Sequence, residues 1–412
     1  MAMASNGINP EKGPFERVDA CIRDLQDRLE RRYKSRRDYR YMIPRAPASK
    51  EAAMAGIVGE LEGLLPCEEL DMRSLTIFAL TGISVKKGTP KEARLAYRAV
   101  GLLLLTLRDG SPGLLLDVAF PVLANGIQAA HDDDAATLVA AIDGLAAASF
   151  AGAGHVEEAM KAIWRVIVPP VRSQSAKLKI QAPKTSPVVL VSALSAWTFL
   201  LTTIVSATST QRKADRNSWS SAAIASLMEI LDADDRKVRM AAGEALAACV
   251  ELNLLTGKHL DALAAKVSDL ATESAGKGAD NSLLRDQKEL FGQIAAFLDH
   301  GEPPTTLVRR SRERQDVMKV STWVRLVQLN FLSKFLGNGF LEHVQGNPLL
   351  NEAFSFGRVE GKPLSIQKKG SSMTTNEFLR GLKRDWLWFS KNVFMLEITR
   401  FWPQKLLQLG WQ

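Results

Sequence analysis

The chain has 412 residues, 46% of them hydrophobic and 24% charged, with a formal net charge of +8. This is the balance of a soluble globular protein, long enough for two or three domains or one repeat array. Cys21, Cys67 and Cys249 lie far apart without CxxC spacing. No disulfide framework or zinc site is readable from that spacing, and a reducing compartment, cytosolic or nuclear, is expected.

Only 7% of the residues are aromatic, and alanine and leucine dominate the middle of the chain, which favours helix over sheet. The positive balance leans toward polyanionic partners and becomes informative only where it is clustered. The N-terminus lacks the apolar core of a secretory signal. Leu102–Leu105 is too short to cross a bilayer, and Val188–Val205 is interrupted by Ser and Thr, so no membrane partner is expected.

Residues 1–14 carry Gly, Pro and Asn and read as a disordered leader. From Phe15 to about Tyr41, Val18, Ile22, Leu25 and Leu29 form an apolar helical stripe. Arginines including Arg17, Arg23, Arg28 and Arg36 fill the other faces, and Tyr33, Tyr39 and Tyr41 stand among them. Two readings stay open: a solvated outer face, or an edge that forks onto phosphates and stacks on bases.

Residues 15–300 predict a helical-repeat solenoid. Ala55, Ala99, Ala141, Ala193 and Ala245 stand at matching places in five similar small-residue segments, roughly 42 to 52 residues apart. Small side chains on a contact row let neighbouring helices approach, while Leu, Ile and Val fill the space between layers. In the fifth segment, acids precede a helix whose Val238, Ala242, Ala245 and Leu246 should point inward. Two connections read as long loops: the Pro-bounded stretch 169–187, with Arg172, Lys177, Lys179 and Lys184, and the polar stretch 207–221. Each is either a binding edge or a solvated turn. After a break at 272–281, Leu283–His300 predicts an amphipathic helix with Leu290, Ile294 and Phe297 inward.

Residues 301–369 form a distinct module. It opens on a dense basic run, Arg309, Arg310, Arg312, Arg314 and Lys319, and closes near Lys368 and Lys369. Between them, Trp323, Leu326, Val327 and Phe331 recur at helical spacing, with Arg325 and Lys334 off that face. Gly337-Asn338-Gly339 is expected to supply the positive-φ residues that end this helix. Phe340, Leu341 and Val344 make a second apolar surface, and Asn347-Pro348 opens a third short element. On the residues alone this is a small helical cap, apolar on one side. Residues 370–412 hold four of the eight tryptophans, at poor periodicity, and read as an irregular tail.

No chemistry of catalysis is visible. The five histidines are scattered, and none has a second ligand at metal-binding spacing. Asp132-Asp133-Asp134 reads as acids at a helix start. No phosphate-cradling glycine loop, zinc-protease or nucleophile-elbow motif occurs. No enzyme, cofactor, metal or small-molecule substrate is expected.

The stretch FLGNGFLEHVQGNPLLNEAFSFG after the tryptophan helix resembles the C-terminal module of the interferon-related developmental regulator family. The segments SALSAWTFLLTTI and DADDRKVRMAAGEALA resemble its repeats. The match is to a plant-type member with an atypical C-terminal end. The resemblance implies an all-α, HEAT/armadillo-like solenoid with a small C-terminal helical module. It also implies one of two functions. The first is a ribosome-binding factor that occupies the intersubunit tRNA/mRNA space, contacts rRNA and keeps ribosomes translationally inactive. The second is a nuclear transcriptional co-regulator that binds protein partners through its solenoid. On the first reading Arg309, Arg310, Arg312, Arg314 and Lys319 contact rRNA phosphates, supported by Lys334, Lys368 and Lys369.

Overall fold

The protein is seen in a computed structural model that describes residues 13–37, 48–107, 111–129, 134–169, 185–207, 213–255, 257–274, 281–304, 306–309 and 317–354. The expected leader falls almost wholly outside these residues, and the tail 370–412 entirely so.

Twelve helices come first among the described residues. They are α1 (Pro14–Arg37), α2 (Ala48–Glu62), α3 (Cys67–Lys87), α4 (Pro90–Thr106), α5 (Ser111–Ala129) and α6 (Ala135–Ala151). Then come α7 (Val156–Ile167), α8 (Pro187–Ala207), α9 (Lys213–Ile230), α10 (Arg236–Glu251), α11 (Lys258–Thr272) and α12 (Asn281–His300). Each even-numbered helix packs on its odd partner and on the next even helix, so α2, α4, α6, α8, α10 and α12 form a continuous inner row. This is an all-α solenoid of two-helix repeats.

The alanine row is the reason the helices stack so closely. Ala99, Ala141, Ala193 and Ala245 are all fully buried, on α4, α6, α8 and α10. The first position is out of step: Ala55 is exposed, and α2 faces the core through Ala53, Met54, Ile57, Val58 and Leu61. Helix starts follow the acidic signals. Asp134 accepts from the Thr137 N–H at 3.0 Å, and Asp235 accepts from the Val238 N–H at 3.1 Å. Val238, Ala242, Ala245 and Leu246 are buried as their spacing required.

The polar stretch 207–221 is not a loop throughout. Helix α9 begins at Lys213, because Ala222, Ala223, Ile224, Leu227 and Met228 continue its periodicity. The Pro-bounded stretch lies outside the described residues between 170 and 184. Within α8, Pro187–Ile204 is long and apolar enough to cross a bilayer by length and composition, yet 61% of it is buried against other helices.

Beyond α12 the chain makes two short antiparallel strands, β1 (Thr306–Arg309) and β2 (Val317–Val320). Helix α13 (Trp323–Leu336) follows, then a 3-10 turn at Gly337–Gly339, α14 (Phe340–Gly346) and α15 (Pro348–Phe354). These last helices are not a cap on the end of the solenoid. They run back across the inner row, from α10 to α2, against the order of the repeats.

Side-chain contacts mark that path. At its start, the Glu251 carboxylate at the end of α10 accepts from the backbone N–H groups of Trp323 (3.1 Å) and Val324 (2.7 Å). Thr322 accepts from the Arg325 N–H at 3.1 Å. Three backbone donors in the first turn of α13, where no preceding turn can accept from them, are thereby satisfied. Next, Gln328 donates to Thr202 of α8 at 3.2 Å, and Phe331 stacks on Phe199 with centroids 4.2 Å apart. Farther along, Phe335 presses on Gly101 of α4, where an added Cβ would stand 2.6 Å from its ring. At the far end, His343 and Asn347 reach the C-terminal ends of α2 and α4.

The extent of burial explains why α13 shows only a weak one-sided pattern. Trp323, Leu326, Val327 and Phe331 are buried as expected, but so are Leu329, Leu332, Phe335 and Leu336. A helix inserted among several others is apolar nearly all round. The two glycines after it serve different ends. Gly337 takes the expected positive φ, at 57. Gly339 does not; it is needed because a Cβ there would lie 1.7 Å from the Glu62 carbonyl oxygen.

Candidate nucleic-acid interface

The basic run does not lead straight into the tryptophan helix, as its sequence suggests. Instead its two end residues, Arg309 and Lys319, lie on paired strands. Thr306 pairs with Val320, Leu307 with Lys319, Val308 with Met318 and Arg309 with Val317. Such pairing fixes the backbone of both strands through inter-strand hydrogen bonds. It brings the two ends of segment 310–316, which carries Arg310, Arg312 and Arg314, beside each other. Those three arginines lie outside the described residues, as do Lys368 and Lys369. Arg309 and Lys319 occupy register positions two rungs apart in the stem.

The stem is held at both feet. Pro304, just before β1, is buried, and Val320 at the end of β2 is fully buried. Shortly after it Trp323 is also fully buried, with the N-terminus of its helix tied to Glu251. Both feet of the hairpin are therefore seated in the core. Glu313 and Asp316 temper its charge, but the run still holds five basic residues between positions 309 and 319. Guanidinium groups form two-pronged bonds to phosphate oxygens, and their clustering favours counterion release from a polyanion.

Lys334 is placed differently. Its ammonium lies 2.9 Å from the Asp143 carboxylate of α6 and donates to Ser192 Oγ of α8 at 3.3 Å. Ser192 in turn donates to Asp143 at 2.7 Å. Asp143 sits mostly out of solvent, so the lysine supplies the opposite charge that its burial requires. Lys334 thus joins α13 to α6 and α8, on a different part of the fold from the hairpin stem.

The N-terminal arginine edge is also partly committed. Arg17 makes a two-pronged ion pair with Glu60, at 2.5 and 2.8 Å, which raises its pKa through that hydrogen bond. Arg23 is exposed, and the side chains from Arg28 to Arg40 lie outside what is described.

Sequence reasoning missed both strands and the tie from Glu251. The strand signal is present as TLVR and VMKV, two four-residue runs rich in branched residues. It is obscured because the charges between them dominate the segment. Glu251 carries no signal, since its partners are more than seventy residues away in sequence.

These features define a helical-repeat scaffold, braced by its own C-terminal helices and carrying a basic hairpin. Residues 18–299, which span α1 almost to the end of α12, match the family described as interferon-related developmental regulator (IFRD). The chain belongs to that family. The matched region stops before the tryptophan helix and the stretch after it, whose residues carry the plainest resemblance. Among individual proteins, interferon-related developmental regulator 2 of Mus musculus is 26% identical over 344 residues, covering 81% of this chain and 74% of that protein. Interferon-related developmental regulator 1 of Sus scrofa is 23% identical over 327 residues, covering 76% and 69%. The Homo sapiens protein of the same name shows the same identity and coverage.

Proposed function

We propose that the protein binds ribosomes, occupies the intersubunit tRNA/mRNA space and keeps them translationally inactive, with the basic hairpin as its principal contact to rRNA. The observation that carries this reading is the hairpin. A stem anchored at Pro304 and Val320 carries Arg309 and Lys319, and the sequence between its strands holds three further arginines. A-form RNA is recognised by its shape and backbone more than by sequence, and a dense run of arginines suits that task. The activity is the one that resemblance to the family implies, and it requires no catalytic group, cofactor or small-molecule substrate. The reading places it in the cytoplasm, with the nucleus as a second location that the sequence allows.

The competing reading, a nuclear scaffold that binds partners through the inner face of its solenoid, has less support. That row is already covered from α10 to α2 by α13–α15. A partner would need another surface or would have to displace the buried tryptophan helix.

Sucrose-gradient sedimentation of the tagged protein from dormant and growing cells tests the proposal, with Arg309, Arg310, Arg312 and Arg314 changed to Glu as the comparison. Co-migration with vacant monosomes that disappears in the variant and at raised salt supports it. Wild-type protein that stays at the top of both gradients rules it out.

A further inference from the structure

The far end of the C-terminal brace holds a histidine whose hydrogen bonds allow only one protonation state. His343 of α14 is completely buried. Its Nε2 lies 3.4 Å from the Leu61 carbonyl oxygen, and its Nδ1 lies 3.1 Å from the side-chain amide nitrogen of Asn347. The orientation of Asn347 is fixed by its other partners. Its Oδ1 accepts from the backbone N–H groups of Leu349 (3.0 Å) and Leu350 (3.4 Å), while its Nδ2 donates to the Leu105 carbonyl at 2.8 Å.

The donor and acceptor pattern is therefore closed. Flipping the Asn347 amide would set its NH2 against two backbone N–H groups and its oxygen against a carbonyl. Because Nδ2 must donate, Nδ1 of His343 must accept. The single imidazole proton sits on Nε2, facing Leu61. A second proton on Nδ1 would meet the Asn347 NH2, donor against donor, and place a cation inside the packed junction.

We propose that His343 and Asn347 form an acid-sensitive latch, in which proton uptake by His343 releases α14 and α15 from the C-terminal ends of α2 and α4. The release is local, because α13 is held separately by Glu251, Thr202, Phe199 and Asp143.

The charged groups around the latch do not stabilise a histidinium enough to keep it closed. Glu342 on α14 and the end of α2 favour the cation, as does the Leu61 carbonyl, but burial is the largest influence and holds the imidazole below its ordinary value of 6.5. Glu62 at the end of α2 is engaged by Arg98 of α4 at 2.7 Å. With the folded value depressed, the latch's contribution is complete above the ordinary histidine value. It is lost as the pH falls below that value toward the folded one.

Hydrogen–deuterium exchange of the full chain, corrected for intrinsic rates, reads this directly. In wild type the opening of residues 340–350 should rise between about pH 7.5 and about pH 5.5, by at most about tenfold, while α10 changes little. His343→Gln keeps a donor toward Leu61 but cannot become a cation, and should leave that segment indifferent to pH. Asn347→Asp tests the same point independently. Its carboxylate accepts from a protonated Nδ1 and from Leu349 and Leu350 but faces the Leu105 carbonyl with no donor, so the segment should be looser at neutral pH and tighten, not open, in acid, even if the glutamine variant fails to fold. The proposal is overturned if residues 340–350 keep constant protection in wild type, or open in acid equally in either variant.

Discussion

On the proposed function, two neighbouring parts of the C-terminal region, the hairpin β1–β2 and the helices α13–α15, are committed in opposite directions. The helices contain the residues that make the region recognisable, and these are spent inward. Phe331 lies on Phe199, Phe335 on Gly101, and Gly339 against the Glu62 carbonyl. The hairpin has little recognisable text, yet its strands carry Arg309 and Lys319 and both its feet are buried. The difference teaches that a long distinctive run can be distinctive because it must fit many partners within its own fold. Contact with an outside partner can fall to the plainer segment beside it.

The largest effect expected from this contrast is at Phe331. Removing its fully buried ring should cost about 3–5 kcal/mol of unfolding free energy by chemical denaturation, the range for Phe→Ala in a core. On the proposed function, changing Arg309, Arg310, Arg312 and Arg314 to Ala should cost no more than roughly 0.5 kcal/mol each, as surface substitutions do. A loss of several kcal/mol in the hairpin variant would erase the distinction between the two parts.

Glu251 sets the next level. Glu251→Gln keeps the shape but removes the charge that holds two N–H groups of α13, and should cost about 1–2 kcal/mol. The same denaturation curves would show it, together with faster amide exchange at Trp323 and Val324. An unchanged midpoint would mean that α13 is held by apolar packing alone.

Lys334 separates the parts most sharply although its effect is small. Half-exposed, its ion pair with Asp143 is screened by solvent, so Lys334→Met should cost only about 0.5–1 kcal/mol. Ribosome co-sedimentation should not change. If this variant lost binding as fully as the arginine variant, Lys334 would belong to the interface and its inward assignment would fail.

Much of the solenoid was legible because its rule is local. Close helix stacking demands small residues at a repeated place, and Ala99, Ala141, Ala193 and Ala245 show that demand directly. Ala55 escapes it because α2 contacts the core through a neighbouring stripe, a shift that an alanine-rich segment hides. The acids before α6 and α10 were equally readable, since an N-cap interacts only with its own first turn. What stayed illegible depends on distant partners. No periodicity tells that Lys334 meets Asp143, or that Gly339 touches α2. A partial signal existed in α13, where Leu329, Leu332, Phe335 and Leu336 extend the apolar surface beyond the single face expected of a cap. For the candidate site, the residue types are legible as a basic cluster. Their arrangement is not, because two four-residue strands leave too short a pattern to stand out against the charges between them.

The most direct test of the central claim is the salt dependence of binding between the purified protein and vacant ribosomes, with wild type beside the variant in which Arg309, Arg310, Arg312 and Arg314 are Ala. Each phosphate that the protein no longer neutralises should lower the slope of log K against log salt by about 0.7–0.9. The account predicts a steep wild-type slope that falls by about three in the variant, with weaker binding at every salt concentration. Equal slopes for the two proteins would contradict it and place the ribosome contact elsewhere on the molecule.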